Sequence, residues 1–418
     1  MTHVLRLAIR SLLNRRVTTG LTVLSIALSV MLLIGVERIR SGAKDSFSQT
    51  ISQTDLIVGA RGGNLSLLLY SVFHMGTATN NISIETYNQF NKHPAIKWTI
   101  PISLGDSHRG FRVVATTESF FQNYKYSRTK SLNMQVGHWN RGLFDVVIGA
   151  EIAKMLQYKV GDPVVIAHGI TSGPAILDHA DSPFKVVGIL ERTTTPVDRG
   201  LYISLEAMEA IHVGWQSGSP SKNTSHTFSD EQLRPKQITA FFLGANARTD
   251  ALRLKREVND YEEEALLGII PAMTLSELWQ SLSYAELSLQ IIGLFVVAVS
   301  LLGMLISIYT TLNERRREVS ILRSIGGSSR LTILLFTTET VFLTIAGSVL
   351  GVILLYVGLF ASQSSIQNIA GVYIPIQWIE STDILYLCLI LLLGLVSGLL
   401  IGIKAHRNSL ADGLVIRV

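Results

Sequence analysis

Cysteine, charge and phosphate-binding motifs are all scarce or missing in this 418-residue chain. The single cysteine, Cys388, stands in an apolar run, so neither an intrachain disulfide nor a cysteine-based zinc centre can form. Charged residues make up only 16% of the chain, against about 25% in a soluble domain. Hydrophobic residues reach 48%, and the mean hydropathy is +0.36. This balance excludes a disordered tail and a simple cytosolic enzyme, and it points to lipid-facing segments. No Gly-Lys dipeptide occurs, hence no G-x-x-x-x-G-K-[ST] loop to cradle a nucleotide. H-E-x-x-H and G-x-S-x-G are also absent, which removes the motifs of the common metallopeptidases and serine hydrolases.

A membrane-crossing helix needs about 20 mostly apolar residues. Four stretches supply them: Val17–Val36, Leu287–Leu312, Val341–Ala361 and Ile384–Ile403. Arg6, Arg10, Arg15 and Arg16 precede the first; Arg315, Arg316, Arg317, Arg323 and Arg330 separate the second from the third; Lys404, Arg407 and Arg417 follow the fourth. The loop from Ser362 to Asp383 holds no Lys or Arg. Basic residues flank spans on the cytoplasmic side, so both termini and the central loop are expected there, in a bacterial inner membrane. That placement accounts for the pI near 9.2 and leaves little support for a nucleic-acid partner. The apolar part of the first span is longer than a signal-peptide core and no clean small-x-small site follows it, so an uncleaved anchor is expected.

The expected fold is an α-helical membrane protein with four transmembrane helices and a large mixed α+β extracytoplasmic domain inserted between helices 1 and 2. The expected boundaries are a basic segment at 1–16, spans at 17–37, 284–312, 331–361 and 384–403, and the inserted domain at 38–283. A short outer loop at 362–383 and a tail at 404–418 complete the chain. Within the insertion, apolar β-branched runs at 55–60, 111–115, 145–150, 163–167, 184–190, 201–205 and 238–245 read as strands. Helical patterns at 84–92, 118–124, 150–157, 205–213 and 249–266 alternate with them. Residues 216–236, rich in Ser and polar side chains, read as a flexible loop. Residues 274–286 read as a helix leading into the second span.

The stretch NERRREVSILRSIGGSSR, 313–330, carries Val319, Leu322 and Ile325 at helical spacing, with Gly326-Gly327 as a stop. Two readings fit this amphipathic pattern: a helix lying on anionic lipid, or a docking helix whose apolar stripe seats in a cytoplasmic partner. LRLAIRSLLNRRVTTGLTVLSIALSV (5–30) and ERRREVSILRSIGGSSRLTILLFTTET (314–340) resemble the FtsX/MacB/LolC-type ABC transporter permeases. So do VIGAEIAKMLQYKVGDPVVI (147–166) and FKVVGILERTTTPVDRGLYISLEAMEAI (184–211) in the insertion. The resemblance implies a dimeric four-span permease, paired with a second copy or a related permease, that couples a cytoplasmic ATPase dimer to its outer domain. Glu314, Arg315, Arg316, Arg317, Glu318, Val319, Leu322, Arg323, Ile325 and Gly326 would then make the ATPase contact. ATP and Mg would belong to that ATPase, with no cofactor on this chain, which would not itself be an enzyme. Lipoproteins, hydrophobic peptides and other amphiphiles are the implied cargo, with a periplasmic or lipoprotein partner also in range. The rival within the same architecture is a regulator that activates a periplasmic partner without transport; a membrane-anchored enzyme is a more distant one.

Glu339 falls at the edge of the third span, where a carboxylate is costly. Three roles compete for it: support of the docking helix through an arginine of 315–317, which the resemblance favours, plain snorkelling, or a part in substrate passage. Gly347-x-x-x-Gly351 and Gly394-x-x-x-Gly398 place small residues along one helix face and allow close packing. Pro196–Gly200 reads as a turn held by an Asp198–Arg199 pair. Eight of the ten histidines lie in the insertion; His168 with Asp178, His179 and Asp181 is the one metal-like grouping. Surface histidines without a metal are the expectation.

Overall fold

The apolar runs become long helices because a bilayer leaves no water for backbone amides, and a helix satisfies them internally. The computed structural model describes the backbone of residues 2–169, 183–213, 228–324, 329–370, 376 and 378–411. Side chains of 2–5, 248, 311–324, 329, 364–370 and 406–411 lie outside the described residues. Helices α1 (Thr2–Asn14) and α2 (Arg16–Thr50) lead to β1 (Leu56–Ala60), α3 (Asn64–Val72), β2 (Ile82–Ser83), α4 (Ile84–Asn91), β3 (Ile96–His108), β4 (Phe111–Thr116) and α5 (Ser119–Asn123). There follow β5 (Lys125–Tyr126), β6 (Lys130–Ser131), β7 (Met134–Gly137), β8 (Asp145–Ile148), α6 (Ala150–Leu156), β9 (Pro163–Val164) and β10 (Phe184–Leu190). A 3-10 turn at Pro196–Arg199 precedes β11 (Gly200–Ser204), α7 (Leu205–His212), β12 (Gln237–Ile238), β13 (Ala240–Ala245), α8 (Arg248–Asn259) and β14 (Leu266–Ile269). Three long helices end the described chain: α9 (Pro271–Ser324), α10 (Ser329–Ala370) and α11 (Ser381–Ala411). Four stretches are long and apolar enough to cross a membrane: Arg16–Thr50, Pro271–Thr310, Arg330–Gln363 and Ser381–Ala405. The chain divides into a helical unit and an inserted unit made of Ala43–Ser281, with which Gln367–Tyr373 is grouped.

The inserted unit is built on one mixed sheet in the order β14-β1-β13-β3-β4-β11-β8-β10-β7, with β9 added on β10. β8 and β10 run parallel, as do β4 and β11; the other pairings are antiparallel. Successive side chains of a strand point to opposite faces, and here both faces are covered. Leu56, Val58, Val113, Val146, Leu201 and Phe241 fill one core, while Ile57, Val114, Val147, Tyr202 and Phe242 fill the other. Burial on both sides is why these strands are continuous apolar runs in the sequence.

The strand expected at 184–190 forms as β10, and the helix expected at 84–92 forms as α4. The helix expected over 249–266 is shorter: α8 stops at Asn259, and Leu266–Ile269 pairs with β1 as an edge strand. β3 is a central strand that carries no apolar-run signature, because Pro101 and Gly105 interrupt it. The third long helix continues past the expected boundary at 361 to Ala370, in keeping with the absence of Gly and Pro between Ser362 and Ala370. The coupling segment is no separate helix: α9 runs unbroken through 313 to Ser324.

Within the helical unit, glycines let backbones meet. A Cβ on Gly347 would lie 2.6 Å from Ile26 Cγ2, and one on Gly351 would lie 2.6 Å from the carbonyl oxygen of Ala27, so α10 rests directly on α2. Gly394 and Gly398 of α11 leave room for Thr344 and Thr340 of α10 in the same way. Ser29 Oγ lies 2.5 Å from Ser300 Oγ, and Ser25 Oγ 3.1 Å from it, joining α2 to α9. Small and hydroxyl-bearing residues are the usual contact set where lipid removes the hydrophobic driving force.

Candidate functional site

Two charged clusters stand in the helical unit. In the first, Arg38 of α2 donates to Asp383 of α11 and lies 3.1 Å from Glu380; the side chains of Arg38 and Asp383 are 6% and 3% exposed. Asp383 also accepts from the backbone amide of Glu380 at 3.0 Å. Two residues along, on the other side of α2, Arg40 pairs with Glu37 at 2.7 Å and with Glu286 of α9 at 3.0 Å. Three helices that meet nowhere in the sequence are thus tied at one end. Glu37, Glu286 and Asp383 stand next to the ends of three of the apolar runs, and nothing local in the sequence assigns them partners. The available signal was that charges bounding the spans on one side are of both signs.

The second cluster surrounds Glu339, only 2% exposed. With Arg15, Thr18, Thr19, Thr22 and Ser307 it lines a small cavity of about 30 Å³. The cavity thus brings Glu339 and Arg15, the residue between α1 and α2, to one lining. The expected partners Arg315, Arg316 and Arg317 have side chains outside the described residues. So do Glu314, Glu318, Val319, Leu322 and Arg323, while Ile325 and Gly326 lie outside the described backbone as well.

The inserted unit holds a cavity of about 340 Å³ of mixed lining, with Thr77, Asn80, Asn81 and Arg112 beside Ala78 and Leu104. Arg112 donates to the carbonyl of Gly76, and burial lowers the affinity of its guanidinium for the proton. Beside it, desolvation and then the Arg112 charge pull the His74 imidazole down to about 4. An unfolded histidine titrates near 6.5, so between about pH 6.5 and 4 the unfolded chain binds a proton that the native state refuses. Stability is therefore full above pH 6.5 and falls by roughly 2–3 kcal/mol as the pH drops to about 4. His74→Asn, neutral and tolerant of the positive φ of 57° found there, should flatten the slope in denaturant melts at pH 7 and 4.5. An unchanged slope would assign the acid loss elsewhere.

Asp198 is buried and accepts from the amides of Thr193 and Thr194 and from the Thr193 hydroxyl, at 2.7–2.8 Å. Burial raises its proton affinity, and these three donors counter that effect. Its expected partner Arg199 instead lies 3.5 Å from Glu151 and over the Phe111 ring. The anchor of the turn is this set of hydrogen bonds to Asp198, and the Arg192 charge acts on the carboxylate in the same direction. Among the histidines, His168 and His212 come together on the fully buried Asp106, a grouping that sequence spacing did not show. Asp178, His179 and Asp181 lie outside the described residues.

The MacB-like periplasmic core domain matches residues 19–252, more than half of the chain, and the FtsX-like permease C-terminal region matches 290–410. A curated relative, the pyoverdine export ATP-binding/permease protein PvdT of Pseudomonas syringae pv. tomato, is 24% identical over 346 residues, covering 81% of this chain. The chain spans 49% of that relative's length. The periplasmic region of MacB from Actinobacillus actinomycetemcomitans aligns with 55% of this chain and 94% of its own, at 10% identity and a TM-score of 0.33. The extracellular domain of the noncanonic ABC-type transporter YknZ from Gram-positive bacteria aligns with 52% and 98%, at 12% identity and a TM-score of 0.30. With the periplasmic core model matched over 19–252, the permease model over 290–410, and four helices long and apolar enough to cross a membrane among the described residues, this chain is a member of the MacB/FtsX-like family of ABC transporter permeases.

Proposed function

We propose that this chain is the permease subunit of an ABC transporter in which a separate cytoplasmic ATPase dimer, carrying ATP and Mg, drives rearrangement of the inserted domain on the periplasmic side. The observation that carries the reading is α9. It has 54 residues without a break, from the end of the insertion to the arginine-rich segment. At 1.5 Å per residue such a helix is about 80 Å long. A continuous helix transmits displacement from one end to the other, whereas a broken one absorbs it.

The ion pairs of Arg38 and Arg40 and the glycine contacts favour helices that move together over a pore that opens among them. The cargo would then be extracted from the outer leaflet or the periplasm without crossing the bilayer through this chain. An amphiphile such as a lipoprotein, a hydrophobic peptide or a drug-like compound suits that route, and the pyoverdine relative adds secreted small molecules to the range. Large exposed apolar side chains on α2, α9 and α10, including Leu28, Phe295 and Val357, suit lipid together with a second permease copy or a related permease.

The deciding experiment places Asp at Val319, Leu322 or Ile325. ATPase co-purifying with the permease should be lost while the permease stays in the membrane fraction. Undiminished ATPase recovery would remove the docking role.

A further inference from the structure

The inserted domain brings together three side chains that no element of the proposed transport cycle uses. In β3, Leu104 pairs with Val114 and Ser107 with Arg112, so Gly105 and Asp106 stand opposite the single residue Val113. A bulge of this kind re-aims a side chain, and here it belongs to Asp106, which is 0% exposed. Neither carboxylate oxygen of Asp106 has a hydrogen-bond partner among the described residues. An ionised, buried carboxylate in that condition is costly unless a cation or a proton meets it.

Two imidazoles face it. His168 is held between Ala167, which exchanges backbone hydrogen bonds with Ser107 at 2.8 and 3.0 Å, and Gly169, whose carbonyl accepts from Ser107 Oγ at 2.5 Å. Its Nδ1 lies 3.3 Å from Asp106 Oδ1. His212, the last residue of α7, places Nε2 3.6 Å from Asp106 Oδ2 and 3.4 Å from His168 Nδ1. The other nitrogen of His212, Nδ1, lies 2.7 Å from the Met208 carbonyl. A carbonyl can only accept, so Nδ1 carries the hydrogen. In the neutral ring the Nε2 lone pair is then turned toward Asp106 and His168. Orientation of a ligating imidazole through its second nitrogen is the usual supporting contact of a metal centre.

We propose that Asp106, His168 and His212 form a zinc site, supplying three of its donors among the described residues. The spacing argues for zinc: a tetrahedral ion with N and O donors at about 2.0–2.1 Å sets its donors about 3.3–3.4 Å apart. The two imidazole nitrogens, 3.4 Å apart, match that edge, and each lies 3.3–3.6 Å from a different oxygen of Asp106. An octahedral ion, with donors at about 90° instead of about 109°, would draw the same atoms closer together. Calcium and magnesium favour all-oxygen sets and do not suit two imidazoles. His168 is 55% exposed, which gives an ion a path in. The site ties the β3 bulge to the 167–169 segment and the end of α7. Leu104, Gly105 and Gly169, chain neighbours of two of the ligands, also line the 340 Å³ cavity. A fourth ligand on the ion would thus bind beside that cavity. The site stands independently of the transport reading.

The test uses the full chain, purified without a polyhistidine tag, stripped with a chelator and titrated with ZnCl2. Retained metal is counted by mass spectrometry after dialysis. One zinc per chain is expected, with binding weakened by more than about 100-fold in Asp106→Asn and in His212→Ala, beyond the cost of losing an outer-shell contact. His93→Ala, which removes a histidine paired with Glu257, should keep the zinc. His168→Ala alters a mostly exposed side chain, so it tests the site even if Asp106→Asn does not fold. CoCl2 in place of zinc should give a tetrahedral ligand-field spectrum that His168→Ala loses. Absence of stoichiometric zinc, or wild-type zinc affinity in His168→Ala, would overturn the site in favour of a proton shared among the three groups.

Discussion

Arg38→Met is expected to destabilise the detergent-solubilised chain by about 3–5 kcal/mol, the cost of leaving one member of a buried ion pair uncompensated. Asp383 would keep its charge with 3% of its side chain exposed and, among the described residues, only the Glu380 amide as donor. Glu380 is 45% exposed and can turn to water, so it does not repeat the penalty. The double variant Arg38→Met/Asp383→Leu removes both charges and should recover most of the loss, since a buried pair replaced by apolar groups is often near neutral. Thermal midpoints of the wild type, both single variants and the double variant decide the matter. A double variant as unstable as Arg38→Met would show that the pair's neighbours, and not the stranded charge, carry the effect.

Substitution at Gly351 should reverse the usual helix preference. In an open helix position Ala is favoured over Gly by up to about 1 kcal/mol, and Gly303, with no atom within 4 Å of a built Cβ, is such a position. At Gly351 the obstacle is backbone, the Ala27 carbonyl oxygen at 2.6 Å, together with Val30 Cβ at 2.8 Å. A carbonyl cannot rotate away as a side chain can, so α2 and α10 must separate. Gly351→Ala should then cost about 1–3 kcal/mol, and Gly351→Leu should abolish the monodisperse species in size-exclusion chromatography. Gly303→Ala should leave stability unchanged or raised. Equal effects at both positions would mean that glycine serves the spans through flexibility and not through close approach.

These two sites mark where sequence reading stops. Gly347, Gly351, Gly394 and Gly398 were legible as a packing face because the i, i+4 repeat is written along a single helix. Which helix each would meet was not. The Arg38–Asp383 pair joins residues 345 positions apart, and no local pattern links them. The same holds for Asp106, His168 and His212. His168 follows β9, His212 ends α7, and only the pairing of Ser107 with Ala167 and the bulge in β3 bring them to one carboxylate. The Asp178–Asp181 grouping looked more like a ligand set in sequence because its members are adjacent.

The sequence by itself determined the four spans, the class of the insertion and the family. Lipid demands about 20 apolar residues in a row, and most strands of a sheet covered on both faces are apolar runs; both signals are local, so a short window displays them. Tertiary structure alone decided that the strand through Pro101 and Gly105 is central, that Leu266–Ile269 is an edge strand, and which charges and histidines face one another. Strand order and helix contacts are set by the summed burial of distant residues, and a quantity shared across the chain leaves no mark at any one position.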